Sequence, residues 1–313
     1  MLESFLTLLP AFVMVGLGYC LGRAKVIPPE SSKVFSTLVF YVAMPAYLFI
    51  RVSDMPDFST IPISYIGAFA VVQIAIGLIT LWVLSRKKYK FSEAVLGAMG
   101  SCYTNSAFMG IPIIVILFGS ALPILIVNIY QVTFLTTLIL FTHELQTHAD
   151  SGNKKSTIDY IITLLRTLLL NPIILSSVGG FIVAQNQVVL PSVLRDIITF
   201  VGTPSISLAL FALGLSLSNE EYNRHVKNRD IYFLIFAKNF IQPLAAFLVG
   251  RYIFHVPDAW LAPLVICAAL PTAVHNYVFA EKYGQFQAES RDVVFYTSLL
   301  SLPVITILFT ILR

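Results

Sequence analysis

The chain has 313 residues, of which 57% are hydrophobic and only 12% are charged, and its formal net charge is +4. Soluble domains carry about 45–50% apolar and about 25% charged residues, so this composition excludes an ordinary soluble core. The modest positive charge does not indicate nucleic-acid binding. Because the apolar residues fall in blocks of about 20, the length that spans a bilayer, the expected surroundings are lipid.

The hydropathy pattern divides the chain into ten predicted membrane spans, five on each side of a polar loop. The first five are 4–22, 34–50, 62–85, 92–118 and 121–142, and the last five are 160–184, 192–217, 231–254, 259–280 and 293–312. The fold class that we predict is an all-α membrane protein. It consists of a first five-helix repeat (1–142), a cytoplasmic linker (143–158) and a second five-helix repeat (159–313).

Lysine and arginine residues are distributed unequally between the two sides of these spans. Of the 20 residues of these two types, 15 lie on one side and four on the other, and Lys238 falls inside the eighth span. Short loops rich in lysine and arginine stay in the cytoplasm. The sequence therefore predicts a multi-pass protein of the cell membrane with both termini outside.

The two halves share residues at matching places in their spans, which is typical of transporters built from repeats. The matching positions are Pro10 with Pro172, Gly18 with Gly180, Pro45 with Pro204, and Asn105 with Asn276. Because each half has an odd number of spans, the second half must enter the membrane from the opposite side. The prediction is a pair of inverted repeats.

Polar residues and prolines interrupt the fourth and ninth predicted spans. The candidate substrate-binding residues there are Thr104, Asn105, Ser106, Pro271, Thr272, His275 and Asn276. Proline removes a backbone donor, and an unpaired backbone group at membrane depth costs several kcal/mol, so such breaks are tolerated around a polar cavity. A half-helix N-terminus there would attract a carboxylate. The alternative is that the prolines only kink buried helices, whose polar residues bond to their neighbours.

Other polar residues inside spans could assist such a site. Lys238 could supply a counter-charge or couple protons, or its ammonium could reach the cytoplasmic interface. His275 could couple protons or serve as a packing residue. Gln73 is the remaining candidate for the coupling site, although an amide inside a span is more often a bond between helices.

Motifs of catalysis and metal binding are missing from the sequence. It contains no H-E-x-x-H, no G-x-S-x-G and no P-loop, so we expect neither an enzyme nor a nucleotide-driven pump. Cys20, Cys102 and Cys267 lie in apolar blocks, where a free thiol behaves as a small hydrophobic group. We expect no metal and no cofactor.

Several segments together resemble the auxin efflux carrier family over nearly the whole chain. They are TNSAFMGIPI (104–113), LNPIILSSVGG (170–180), LALFALGLSL (208–217), AKNFIQPL (237–244) and LPTAVHNYVFAEKYG (270–284). The resemblance implies ten spans with the fourth and ninth crossing at their breaks. It also implies a scaffold of spans one, two, six and seven, and a transport domain of spans three to five and eight to ten that moves like an elevator.

Departures from the plant members limit what the resemblance implies for the site. Pro271 matches the family proline of the ninth span, but Asn105 follows Thr104 where the plant carriers have a proline. Gln73 lies in the third span, where the plant carriers have an acid and a lysine. The long cytoplasmic loop of many plant members is missing too, so the chain resembles compact prokaryotic members of the inner membrane.

The function that we predict is gradient-driven secondary transport of small organic anions, proton-coupled or uniport, by elevator-like alternating access. A sodium-coupled symporter of the bile-acid type and a membrane ligand sensor that does not transport are the alternatives. The expected partners are the lipid bilayer and a small organic anion, and a homodimer could form through the scaffold helices. The identity of the anion and the direction of transport do not follow from the sequence.

Overall fold

Helices dominate the part of the chain that the computed structural model describes, which is residues 2–54, 61–87, 89–135, 138, 170–218 and 229–312. The segments are α1 Leu2–Arg23, α2 Pro29–Ser53, α3 Ile63–Ser85, α4 Phe91–Cys102, α5 Ser106–Phe118, α6 Leu122–Tyr130, α7 Pro172–Gln185, α8 Ser192–Leu217, α9 Arg229–Ile253, α10 Asp258–Ala269, α11 His275–Tyr283 and α12 Gln287–Leu312. The predicted linker, 143–158, lies outside the described residues.

Five of these helices, α2, α3, α8, α9 and α12, are long and apolar enough to cross a membrane. Shorter apolar helices accompany them, including α5, α7 and α10. The predicted all-α membrane class is therefore confirmed. The arrangement as ten spans in two inverted repeats stays a prediction, because parts of the predicted fifth and sixth spans fall outside the described residues.

Three helices contain a widened π turn immediately before a proline. The turns and their prolines are Val39–Ala43 with Pro45, Ser106–Gly110 with Pro112, and Ala237–Ile241 with Pro243. A proline has no N–H and its ring clashes with the carbonyl four residues earlier, which lies inside each of these turns. The wider turn relieves that clash and keeps the helix continuous, and it re-aims the side chains that it carries.

Close helix packing at glycines holds α1 against α8 and α2 against α7. A Cβ added at Gly18 would lie 2.2 Å from the Phe211 carbonyl oxygen, and one added at Gly180 would lie 2.6 Å from the Phe49 carbonyl oxygen. Only glycine permits such an approach of two backbones. The two glycines are 162 positions apart, and so are the two carbonyls that they face.

Candidate functional site

The two interrupted spans meet at their breaks, where short extended segments pair as antiparallel strands. Asn105 N donates to the Pro271 carbonyl oxygen at 2.8 Å, and Ala273 N donates to the Tyr103 carbonyl oxygen at 3.1 Å. Thr104 and Thr272 thus lie directly opposite each other. This crossing, residues 103–106 and 270–273, joins the first half of the chain to the second in the middle of the fold.

The break between α10 and α11 follows from its proline. Leu270 ends α10 with an extended backbone, at φ −59° and ψ 151°. The ring of the next residue, Pro271, sterically excludes the helical conformation at Leu270. The sequence therefore interrupts the predicted ninth span at that point, as the sequence analysis expected.

The break between α4 and α5 has no proline and is stabilised by the Gln131 side chain instead. When the Gln131 amide is oriented so that its neighbours are satisfied, its oxygen accepts from Thr104 N at 2.7 Å and its nitrogen donates to the Thr104 carbonyl oxygen at 3.2 Å. One side chain thus pairs both backbone groups of a residue that lies outside any helix. Gln131 is not among the predicted site residues, because its only signal in the sequence is an amide inside an apolar span, which favours a bond between helices.

The asparagines at the starts of α5 and α11 are buried and keep unpaired amide groups. Asn105, 2% exposed, accepts from Phe108 N at 3.3 Å, whereas its Nδ2 has no partner among the described residues. Asn276 is fully buried, and neither its Oδ1 nor its Nδ2 has a partner there. A buried amide without a bond is costly, so both side chains are candidates to bind a ligand.

The Lys238 ammonium also lies at the crossing and is fully buried. It donates to Gln242 Oε1 at 2.7 Å, to the Ala268 carbonyl oxygen at 2.9 Å and to Thr104 Oγ1 at 3.3 Å. The side chain therefore points inward from the π turn of α9, and it does not reach the cytoplasmic interface.

Two glutamines extend this polar cluster to the end of α4. Gln73 Nε2 donates to the Cys102 carbonyl oxygen at 2.7 Å and lies 3.4 Å from Thr104 Oγ1. Gln242 Nε2 donates to the same Cys102 oxygen at 3.2 Å. Gln242, which the sequence analysis did not propose for the site, thus connects Lys238 to the C-terminal end of α4.

Ser106 and His275 are placed differently from each other. Ser106 is buried at the start of α5, and its Oγ accepts from Asn128 Nδ2 at 2.8 Å. His275 opens α11 with an exposed side chain, although its neighbour Asn276 is buried. The structure therefore brings together all of the predicted site residues around the crossing except His275, whose side chain is exposed.

Thr272 connects the crossing to two helices. Its N donates to Thr297 Oγ1 at 3.1 Å, and its Oγ1 donates to the Gly100 carbonyl oxygen at 2.6 Å. The hydroxyl thus ties the α10–α11 break to α4, and the backbone N–H ties it to α12. These two bonds indicate that Thr272 positions the break.

Replacing Thr272 by valine should lower the free energy of unfolding by about 1–3 kcal/mol, because the Gly100 carbonyl loses a buried donor. Thermal unfolding in detergent measures this. Thr306→Val is the matched control, since among the described residues the Thr306 hydroxyl bonds to the Leu302 carbonyl of its own helix. Equal unfolding temperatures for the two variants would show that the Thr272 bond does not hold the crossing.

Two cavities lie at the ends of the helices rather than at the crossing. One, of about 370 Å³, is lined by residues between α1 and α2, including Arg23 and Lys25. The other, of about 350 Å³, lies between α2 and α8 beside the ion pair of Arg195 with Asp54. The residues of the crossing itself are buried.

Clusters of the usual metal-binding side chains are not found in the described ranges. These ranges contain no cluster of three or more histidine, cysteine, aspartate or glutamate side chains that could hold a metal ion. The carbonyl, hydroxyl and amide oxygens at the crossing, together with one ammonium, suit the recognition of charge by hydrogen bonds.

Comparison with known proteins points to membrane transport. Residues 4–309 match the Mem_trans family, described as membrane transport protein. A Rhizobium meliloti (strain 1021) protein named "Putative malonate transporter" is 25% identical over 316 residues, 97% of this chain and 94% of that protein. "Auxin efflux carrier component 5" of Arabidopsis thaliana is 22% identical over 339 residues, 98% of this chain and 95% of that protein.

A mouse protein matches a smaller part of the chain. "Lysosomal cholesterol signaling protein" of Mus musculus is 27% identical over 226 residues, which cover 68% of this chain and 26% of that protein. The similarity thus extends to a much longer protein whose name describes signalling rather than transport.

Proposed function

Because the chain belongs to the Mem_trans family of membrane transport proteins, we propose that it is a gradient-driven secondary carrier of small organic anions. It is a multi-pass membrane protein, and its family implies a small-molecule substrate. The substrate class is our proposal. The rhizobial relative named for malonate and the plant relative named for auxin, which are both named for carboxylates, support it.

The observation that carries the proposal is the pair of unbonded amides at the crossing. Asn105 Nδ2 and Asn276 Nδ2 are buried donors at the starts of α5 and α11, where helix dipoles are positive. A carboxylate bound between them would accept from both amides and from free backbone N–H groups. Each half of the chain supplies one such asparagine at the start of a half-helix. An anion could therefore reach the site equally well from either side of the membrane.

We extend the proposal to the architecture: two inverted five-helix repeats, both termini outside, in the prokaryotic inner membrane. The glycine contacts support it, because Gly18 facing Phe211 and Gly180 facing Phe49 are the same contact shifted by 162 positions. The helices of those contacts, α1, α2, α7 and α8, would form the scaffold and could pair two subunits. The remaining helices would carry the crossing in an elevator-like motion.

Thermal unfolding of the purified protein with a panel of acids tests the substrate class. Malonate and other small carboxylates should raise the unfolding temperature, because a ligand that binds only the folded state stabilises it. Malonamide, which has the same size without charge, is the matched control and should give no rise. The proposal is wrong if no acid in a broad panel stabilises the protein more than its amide.

A ligand sensor that does not transport is the second candidate, and the similarity to the mouse signalling protein favours it. Such a sensor would bind an anion at the crossing without carrying it across. Anion binding alone therefore does not separate the two functions. Counterflow in proteoliposomes does, because only a carrier exchanges labelled anion across the membrane.

A further inference from the structure

The Lys238 ammonium donates hydrogen bonds to three oxygen atoms, none of which belongs to an acidic side chain. Its three acceptors are a side-chain amide of its own helix, the Thr104 hydroxyl at the α4–α5 break and a carbonyl at the end of α10. An ammonium has three N–H donors, so every donor is used. Among the described residues, no aspartate or glutamate oxygen lies within 4.0 Å of it.

The groups around Lys238 are the negative ends of two half-helices. α4 ends at Cys102, whose carbonyl accepts from Gln73 and Gln242, and α10 ends at Ala269, one residue after the carbonyl that Lys238 binds. The C-terminal end of a helix carries about half a negative charge. A cation is stabilised where two such ends lie close together in a buried place, and here the protein supplies one from its own chain.

The neighbours of Lys238 carry no competing charge. The titratable side chains packed nearest to it are the thiols of Cys102 and Cys267, one from each half-helix end, and the Tyr65 phenol, which lies 3.5 Å from the Cys267 sulfur. The two thiols and the phenol are all buried. None of these three side chains can carry a positive charge, so among the described residues at this place the group that can is Lys238.

We propose that the Lys238 ammonium is a built-in counter-cation that occupies an oxygen cage suited to a sodium ion. The cage is formed by Thr104 Oγ1, Gln242 Oε1 and the Ala268 carbonyl oxygen. Hard cations prefer oxygen ligands of this kind. With the ammonium in place, the crossing needs no dissolved cation. Anion binding by this carrier is therefore independent of sodium, a statement that rests on the function proposed above. The oxygen cage around Lys238 does not depend on that function.

Truncating the side chain tests the proposal without any substrate. Lys238→Ala leaves three oxygen atoms around an empty position, so sodium should bind there and raise the unfolding temperature by about 2 °C or more at 150 mM. Purified protein in lipid nanodiscs is compared in sodium chloride and in N-methylglucamine chloride at equal ionic strength. The wild-type protein should unfold at the same temperature in both salts.

Two further variants separate the cage from the loss of charge. Lys238→Met also removes the charge, but its side chain fills the position, so sodium should have no effect. Lys33→Ala removes an exposed lysine and should behave as the wild type does. If the alanine variant does not fold, Lys238→Ser, whose hydroxyl adds an oxygen to the cage, takes its place in the comparison.

Three results would overturn the proposal. They are a sodium-dependent unfolding temperature of the wild-type protein, malonate binding by the wild-type protein that sodium strengthens more than about threefold, and equal sodium responses of the alanine and methionine variants. Sodium stabilisation of Lys238→Ala alone supports the cage even if no carboxylate binds the wild-type protein. In that case the proposed function fails and the cage stands.

Discussion

Asn276→Leu is expected to weaken binding of the transported anion about 10- to 100-fold while leaving the fold intact. A hydrogen bond to a charged group contributes about 1.5–3 kcal/mol, and each 1.4 kcal/mol is a factor of ten in affinity. The Asn276 amide has no partner among the described residues, so its removal breaks no bond within this part of the protein. Leucine has nearly the shape of asparagine and relieves a buried unpaired polar group, so the free energy of unfolding should stay equal or rise.

Titration of the variant with malonate, followed by thermal unfolding with and without ligand, measures both effects. Asn186→Leu is the matched control, because Asn186 is exposed at the end of α7 and donates to the Ile182 carbonyl. It should bind malonate as the wild type does. A loss of stability in Asn276→Leu would mean that the amide serves the fold, and unchanged affinity would remove it from the site.

Gly214→Ala is expected to have the largest effect on stability. A Cβ at Gly214 would lie 1.9 Å from the Val15 carbonyl oxygen and 2.7 Å from its carbon, so α1 and α8 must separate. Overpacking typically costs 1–3 kcal/mol, and a clash with rigid backbone belongs at the upper end, so we expect a loss of about 3 kcal/mol or more in the free energy of unfolding. The unfolding temperature and the monodisperse yield in detergent report it.

Gly16→Ala provides the control within the same helix pair. A Cβ at Gly16 has nothing within 4 Å, and alanine favours a helix over glycine by about 1 kcal/mol. This variant should match or exceed the wild-type unfolding temperature. If both variants are equally stable, the close approach of α1 to α8 does not hold the scaffold together.

The sequence predicts one of the two breaks at the crossing more directly than the other. Pro271 excludes a helical conformation at Leu270, and that rule is local and readable from the sequence. The break after Cys102 depends on Gln131. The side-chain amide of this residue, from another helix, pairs with both the N–H and the carbonyl of Thr104. Such a contact has no local signature, because a glutamine inside an apolar span is equally consistent with a bond between helices.

The directions in which the site side chains point also could not be predicted from the sequence. His275 and Asn276 are adjacent in a motif, yet consecutive residues of a helix point about 100° apart, and only Asn276 is buried. Lys238 could have reached the membrane surface from its depth in the eighth span. The π turn before Pro243 and the packing of α9 against α10 direct it inward instead. Hydropathy predicts where helices lie, whereas packing decides which way they face.

Counterflow of labelled malonate in proteoliposomes tests most directly whether the crossing carries an organic anion across the membrane. Liposomes that contain the wild-type protein and are preloaded with unlabelled malonate should accumulate external label transiently above its equilibrium level. Liposomes with Asn276→Leu should show little accumulation. If the wild-type protein binds malonate but exchanges label no faster than empty liposomes do, it is a sensor and not a carrier.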